Sequence, residues 1–265
     1  MLKKSGIIAV ILIVAGFIFS GFVLRSNYAV PILMYHSVNP VKNPYIRSLI
    51  VSPESFRRQM RFLKERRYNV VTLKQLGELI ASGGKIPPRT IAITFDDGYR
   101  DNYTYAFPVL KEYKIPATIF IIIDEVGRLV KDKSGDDRLS WEEIRLMQDS
   151  GLINFGSHTM GPKLLTEIKS EEELKRQIFL SKSILEGELG VPVYAFSYPE
   201  GRFNAKIRQM VMDAGYKMAV ATKLKKDYTK NDVFALRRVR VSPNSDNLFV
   251  FWFETSGFYN FLRRR

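Results

Sequence analysis

Beyond residue 27 the chain alternates short apolar runs with stretches whose apolar positions recur three and four apart. Pro31–Tyr35 (PILMY), Asn69–Val71 and the β-branched run Thr90–Phe95 (TIAITF) predict strands, as do Ala117–Ile123, Ile153–Ser157, Tyr194–Ser197, Lys217–Thr222 and Ala235–Val241. Between them lie helix signals. Ser52-Pro53 is an N-cap followed by proline at the first helical position, and Phe56, Met60 and Leu63 mark the buried face beyond it. Thr72 caps a helix that stops at Gly83-Gly84, and a helix after Gly98 runs to about Tyr113. Ser140 with Glu143 and Ser170 with Glu173 read as capping boxes, opening helices that stop at Gly151 and Gly190; a further helix covers Asn204–Ala214. Repeated β–α alternation predicts a mainly parallel sheet with helices outside, as a barrel or an open wound sheet. No internal repeat stands out.

The first residues follow another pattern. Ser5 to Leu24 is a run of 20 residues without a charge. As a helix it spans about 30 Å, the hydrocarbon thickness of a bilayer. Lys3 and Lys4 precede it and Arg25 follows, a bias toward an inside N-terminus with the rest of the chain outside the cytoplasm. The run is long for a cleaved signal, and no clean small-x-small site follows it. The expected organisation is an anchor or signal segment over residues 1–27 and one domain over 28–265. The domain is therefore expected membrane-anchored and extracytoplasmic, or secreted if the segment is cleaved.

Composition narrows the chemistry. There are no cysteines, which removes disulfide scaffolds, zinc fingers, iron–sulfur centres and thiol nucleophiles. The net charge is +14; residues 1–27 hold Lys3, Lys4 and Arg25, so the remainder keeps +11. A basic exported domain meets anionic head groups and wall polymers, and no zinc-finger, homeodomain or RNP-like motif supports nucleic acid as the partner. The chain has two histidines, His36 and His158, so a mechanism needing three is excluded.

In parallel α/β folds chemistry sits at the C-terminal ends of strands. His36 follows the first strand, Asp96-Asp97-Gly98 follow TIAITF, His158-Thr159 follow INFGS, and Tyr198-Pro199-Glu200-Gly201 follow AFS. Both histidines fall in this set. Two adjacent carboxylates at a strand end suit metal binding by one and acid–base work by the other. They also suit a phosphoacceptor pocket, which conflicts with export, or a plain Asp-Asp-Gly turn.

Thr94-Phe95-Asp96-Asp97-Gly98-Tyr99, Gly156-Ser157-His158-Thr159 and Phe196-Ser197-Tyr198-Pro199-Glu200-Gly201 together resemble the polysaccharide deacetylase family, carbohydrate esterase family 4. Pro31–His36 resembles the first strand of its poly-N-acetylglucosamine deacetylase branch. The resemblance spans roughly residues 30–241. It implies a distorted (β/α) barrel of about seven strands, here preceded by one transmembrane helix. It also implies a metal-dependent N-deacetylase acting on N-acetylated amino sugars of a wall or matrix polysaccharide. By resemblance Asp96 is the general base, His36 the catalytic acid, and Asp97 and His158 ligands of a divalent metal, zinc or another transition metal. Tyr198, Pro199, Glu200 and Gly201 are substrate- or oxyanion-facing, with the backbone N–H of Glu200 as the donor.

Two positions depart from the family. Its second motif places another histidine four residues after the first; here that position is Pro162, which cannot ligate. Glu200 stands where an aromatic is usual, and its carboxylate either replaces the lost ligand or faces solvent. The site is expected to be weak or incomplete. The alternatives are a catalytically impaired glycan-binding relative, or a hydrolase of another carbohydrate ester or amide.

Two further regions invite a role. Tyr99, Tyr103 and Tyr105 are candidates for stacking on sugar rings, although their spacing suits no single helical face. The segment Leu248–Phe253, followed by Phe258, Phe261, Leu262 and Arg263–Arg265, is either a terminal helix packed on the barrel or a membrane-surface segment.

Overall fold

The structure is a computed structural model that describes residues 28–40, 46–130, 137–222 and 232–259. The expected transmembrane helix at residues 5–24 lies outside the described residues, as do residues 260–265. Among the described residues no helix is long and apolar enough to cross a membrane.

The strands of the main sheet are β1 (Ile32–Tyr35), β2 (Asn69–Val71), β3 (Thr90–Phe95), β4 (Ala117–Ile121), β5 (Ile153–Ser157), β6 (Ala195–Ser197), β7 (Met218–Ala221), β8 (Leu236–Arg237) and β9 (Val239–Arg240); Ser37–Val38 and Ile50–Val51 pair apart from it. Every pairing among them is parallel. β1 lies between β3 and β9; from β3 the order continues through β4, β5, β6 and β7 to β8, and β2 adds to β3. The strand expected at Ala235–Val241 is thus two short pieces broken at Arg238. One piece pairs with β7 and the other with β1, so this segment brings the last stave beside the first. The result is a nearly closed α/β barrel of seven staves.

The two-residue period of the strands sorts their side chains into two cores. Ile32, Ala92, Phe120, Ala195, Met218, Val220 and Leu236 form the smaller cluster, inside the staves. Leu33, Tyr35, Ile91, Ile93, Phe95, Ile119 and Ile121 point the other way, into a larger layer under the helices. The interior leaves little room. A Cβ at Gly156 would stand 2.5 Å from the Phe120 ring and 2.9 Å from the Ala195 carbonyl.

Around the staves lie α1 (Pro53–Glu65), α2 (Leu73–Ala81), α3 (Phe107–Tyr113), α4 (Trp141–Asp149), α5 (Glu171–Lys175), α6 (Ser181–Leu189), α7 (Ala205–Asp213) and α8 (Leu248–Glu254). Ser52 caps α1, and reciprocal capping boxes open α2 at Thr72/Gln75 and α4 at Ser140/Glu143. The box expected at Ser170 is half formed. Ser170 accepts from the Glu173 N–H, but the Glu173 carboxylate turns to Gln177 instead. π-helical turns at Asn102–Ala106 and Arg176–Leu180 lead into α3 and join α5 to α6; the apolar spacing alone did not indicate either. α2 supplies Leu73 and Leu76 to the inner cluster, and Gly77 sits against Met218, the first residue of β7. This helix closes the end of the barrel where the strands begin and leaves the other end open.

Candidate active site

Strand parity aims the chemistry. Asp96 continues the inward series Ala92, Thr94 of β3; His158 continues Gly156 of β5; Arg238 continues Leu236 of β8. All emerge at the end where the strands finish.

Asp96 is buried and clamped. The two guanidinium nitrogens of Arg238 donate to its two oxygens, Nη1 to Oδ1 and Nη2 to Oδ2, each at 2.6 Å. Nη2 also donates to Ser197 Oγ at 2.9 Å, and Arg238 is itself buried. Burial alone would raise the Asp96 pKa. The charge of Arg238, then that of His158, outweighs it and holds the carboxyl well below the ordinary range. This carboxylate stays ionised at any working pH. The bidentate fork fixes its plane as a single ammonium could not.

Asp97 turns the other way. Its backbone is left-handed at φ 69°, and Gly98 follows at 62°. Its Oδ1 stands 3.5 Å from His158 Nε2, which lies 4.0 Å from Asp96 Oδ2. The ring is oriented from behind: His158 Nδ1 is 2.8 Å from the Ser197 carbonyl, which only accepts, so Nδ1 carries the proton and donates. Nε2 then faces Asp97 as a lone pair, unless it too is protonated. Two acceptors facing across 3.5 Å call for a positive charge between them, a proton or a divalent cation. One carboxylate and one imidazole fit a divalent cation as a two-donor site. Among the described residues no cluster of three such donors occurs.

Left-handed backbone recurs at Thr159 (φ 76°) and Glu200 (φ 51°), one in each of the other two motif loops. For a β-branched threonine this is unfavourable, and the surroundings hold it there. Thr159 N–H donates to Ser157 Oγ, its hydroxyl donates to the Gly161 carbonyl, and the N–H groups of Met160 and Gly161 both donate to Gln177 Oε1.

His36 approaches from β1. Burial pushes its pKa down, against the pull of Asp97 and Asp96, and its Nδ1 is buried with no hydrogen-bond partner among the described residues. The loop that carries it is tied down by two residues the motif reading passed over. Asn102 Nδ2 donates to the His36 carbonyl at 2.8 Å. Asp101 accepts from Ser37 Oγ, the Val38 N–H and Asn39 Nδ2.

The structure bears on three of the sequence readings. Tyr198 does not offer its side chain to substrate: it is buried, stacked on Phe203 at 4.2 Å, and its hydroxyl donates to the Phe234 carbonyl. The Glu200 carboxylate takes the solvent-facing alternative: it is exposed and pairs with Arg202 at 3.3 Å. What remains of that tetrapeptide for the site is backbone, turned by the left-handed Glu200 between the buried Pro199 and Gly201. Tyr99 is in the core with the Arg138 guanidinium 3.9 Å over its ring, and Tyr103 stacks on Phe107; only Tyr105 of the three is exposed. Pro162, in the lost ligand position, is exposed. Arg238 was missed altogether. Its signal was an arginine in the inward register of a strand whose neighbour two residues back, Leu236, is apolar.

The polysaccharide deacetylase family profile matches residues 83–219, more than half of the chain, and takes in both the Asp96-Asp97 and the His158 loops. The chain is a member of the polysaccharide deacetylase family. Over 213 residues it is 32% identical to the Bacillus subtilis polysaccharide deacetylase YxkH, covering 80% of this chain and 71% of that one. It is 29% identical to a poly-β-1,6-N-acetyl-D-glucosamine N-deacetylase of Staphylococcus aureus, covering 77% and 67%. Among solved structures it is similar to the deacetylase PplD of Streptococcus pyogenes in complex with acetate, with TM-score 0.73, 26% identity and coverage of 84% and 97%. IcaB from Ammonifex degensii gives TM-score 0.73, 27% identity and coverage of 86% and 97%. The chain shares their barrel along nearly the whole described length.

Proposed function

We propose that this deacetylase hydrolyses the N-acetyl group of amino sugars in a wall or matrix polysaccharide, releasing acetate and a free amine. The observation that carries the reading is the meeting of a clamped, ionised Asp96 with the Asp97–His158 donor pair at one barrel mouth. Asp97 and His158 would hold a divalent cation, zinc or another transition metal, which would polarise the acetyl carbonyl and make the attacking water more acidic. Asp96, facing His158 across 4.0 Å, takes the proton of the attacking water. The Glu200 N–H donates to the developing oxyanion. His36 protonates the departing nitrogen; burial disfavours its charged form, while the carboxylates of Asp97 and Asp96 favour it. The water's oxygen ends on acetate and its two protons end on the nitrogen, which leaves as an ammonium; the proton held by Asp96 returns to His36, so the reaction balances.

A second reading has its own observation. With Pro162 and Glu200 both facing solvent, two donors remain where three are usual for a catalytic site, and a groove that binds glycan without turnover follows. Acetate release from an N-acetylglucosamine oligomer, with and without added divalent cation, separates the two. Turnover that Asp96→Asn abolishes supports the deacetylase; glycan binding without acetate at any cation concentration supports the second reading. We also infer an extracytoplasmic domain tethered by residues 5–24, or secreted if they are removed. External protease acting on intact cells would degrade a domain so placed, and a protected domain would refute the placement.

A further inference from the structure

The strands run parallel, so the residues that lead into them lie at the end of the barrel away from the site. Tyr28 and Ala29 lead into β1; the Ala29 N–H donates to the Gly257 carbonyl, and the Tyr28 ring meets Phe258 edge-on at 5.7 Å. Arg66 and Arg67 lead into β2 and Arg89 into β3; all three are exposed, and Arg89 Nη1 donates to the Arg66 carbonyl at 2.7 Å. The end of α8 arrives beside them, with Tyr68 and Thr255 hydroxyls 2.8 Å apart.

α8 buries Phe251 and Glu254 and leaves Leu248, Phe249 and Trp252 outward, with Trp252 four residues from Leu248 and three from Phe249, so that it neighbours both. They are 38%, 71% and 47% exposed, and the Phe249 and Trp252 rings lie 5.5 Å apart. An aromatic stripe beside exposed arginines is the composition of a surface that sits at lipid head groups. The chain around it fits. In sequence the 20-residue uncharged run is followed, after three further residues, by Tyr28, and the sequence after Tyr259 reads Asn-Phe-Leu-Arg-Arg-Arg.

We propose that this end of the domain docks on the surface of a bilayer carrying anionic phospholipid, with Phe249 and Trp252 at head-group depth and Arg66, Arg67 and Arg89 over the phosphates. The contact holds the catalytic mouth away from the membrane, toward polymer. It does not depend on the hydrolytic reading, because its test measures no turnover.

The chain has two tryptophans, Trp141 on α4 and Trp252 on α8, so Trp141→Phe and Trp252→Phe each leave one reporter. The full-length protein is mixed with phosphatidylglycerol-containing vesicles bearing a nitroxide near the head group. Trp252 is expected to lose fluorescence and shift to the blue while Trp141 does not. Phosphatidylcholine vesicles, added salt, or Arg66→Glu with Arg67→Glu are expected to weaken the quenching. Three results would overturn the proposal. Trp252 could stay as open to aqueous iodide as it is without lipid. Both tryptophans could be quenched equally, the mark of an unoriented domain. Trp252 could be shielded from iodide and lipid alike, the mark of cover by residues 5–24 or a second copy. If Trp141→Phe fails to fold, the wild-type signal minus that of Trp252→Phe gives the same reading.

Discussion

Asp96 and Asp97 are consecutive, yet the first is locked against Arg238 at 5% side-chain exposure, while a left-handed backbone swings the second toward His158 at 21%. On the Asp96 side everything needed is supplied by the protein: a fork, a hydroxyl and a fixed carboxylate plane. On the Asp97 side two acceptors face each other, and a third donor is missing at Pro162. One half of the site is complete without any ligand; the other waits for a positive charge. The reaction therefore has a rigid half set by folding and a labile half set by what binds.

The strongest way to break the comparison is to damage the rigid half. Arg238→Met leaves Asp96 buried without its partner, and loss of one member of a buried pair costs about 3–5 kcal/mol. Denaturant unfolding of the two proteins measures this. A variant as stable as wild type would mean that the pocket is wetter than its geometry implies. Arg238→Lys keeps the charge but loses the fork, so it is expected to restore much of the stability and little of the activity.

Asp96→Asn removes the proton acceptor. The loss expected for a positioned base is about 10²–10⁴-fold in kcat. Asp97→Ala acts on the labile half: a high concentration of divalent cation should recover part of its activity, whereas none should rescue Asp96→Asn. Equal rescue of both variants would erase the distinction between the neighbours.

Much of this was legible in the sequence, and the remainder was hidden for physical reasons. The strands and the placing of the chemistry at their ends follow from apolar period and from the residues where apolar runs stop; the barrel of about seven strands came from the family resemblance, since period alone left an open wound sheet equally open. Asp96, Asp97, His36 and His158 announce themselves as rare polar residues where apolar runs stop. Arg238 did not, because Arg237 and Arg240 flank it and only the break in the strand tells which arginine turns inward. Tyr198 was misread for the converse reason: a motif names a residue without saying whether its side chain or its backbone does the work. The two π-turns depend on how the chain packs after Asp101 and Gln177, contacts distant in sequence.

The missing third donor gives a subtler test. Glu200→Ala should leave cation affinity unchanged, since the carboxylate is engaged with Arg202 in solvent. Pro162→His returns an imidazole to a position four residues past His158, on a loop whose backbone Gln177 already holds. It should tighten cation binding, by calorimetric titration, if that loop can turn inward. A fall in affinity in Glu200→Ala would show that the exposed carboxylate moves into the site when a cation arrives.

The smallest expected effect is on stability at mildly acidic pH. Burial lowers the His36 pKa, so the fold favours its neutral form. The unfolded chain, near the ordinary ~6.5, therefore takes up a proton first as pH falls. The contribution of His36 is full above that value and declines as pH drops from it through the lower folded value. Asp96 acts further down: its folded pKa is depressed, so its contribution persists until pH falls below the ordinary carboxylate value of about 3.9. Asp101, pushed up by burial, works in the opposite sense, but it is present in both proteins to be compared. In urea unfolding from pH 7 to 5 with chelator, wild type should lose more stability than His36→Gln, which has no imidazole to protonate. Parallel slopes would mean that His36 is solvated in the folded state, and the mouth of the barrel would then be open to water on its β1 side as well as beside Asp97.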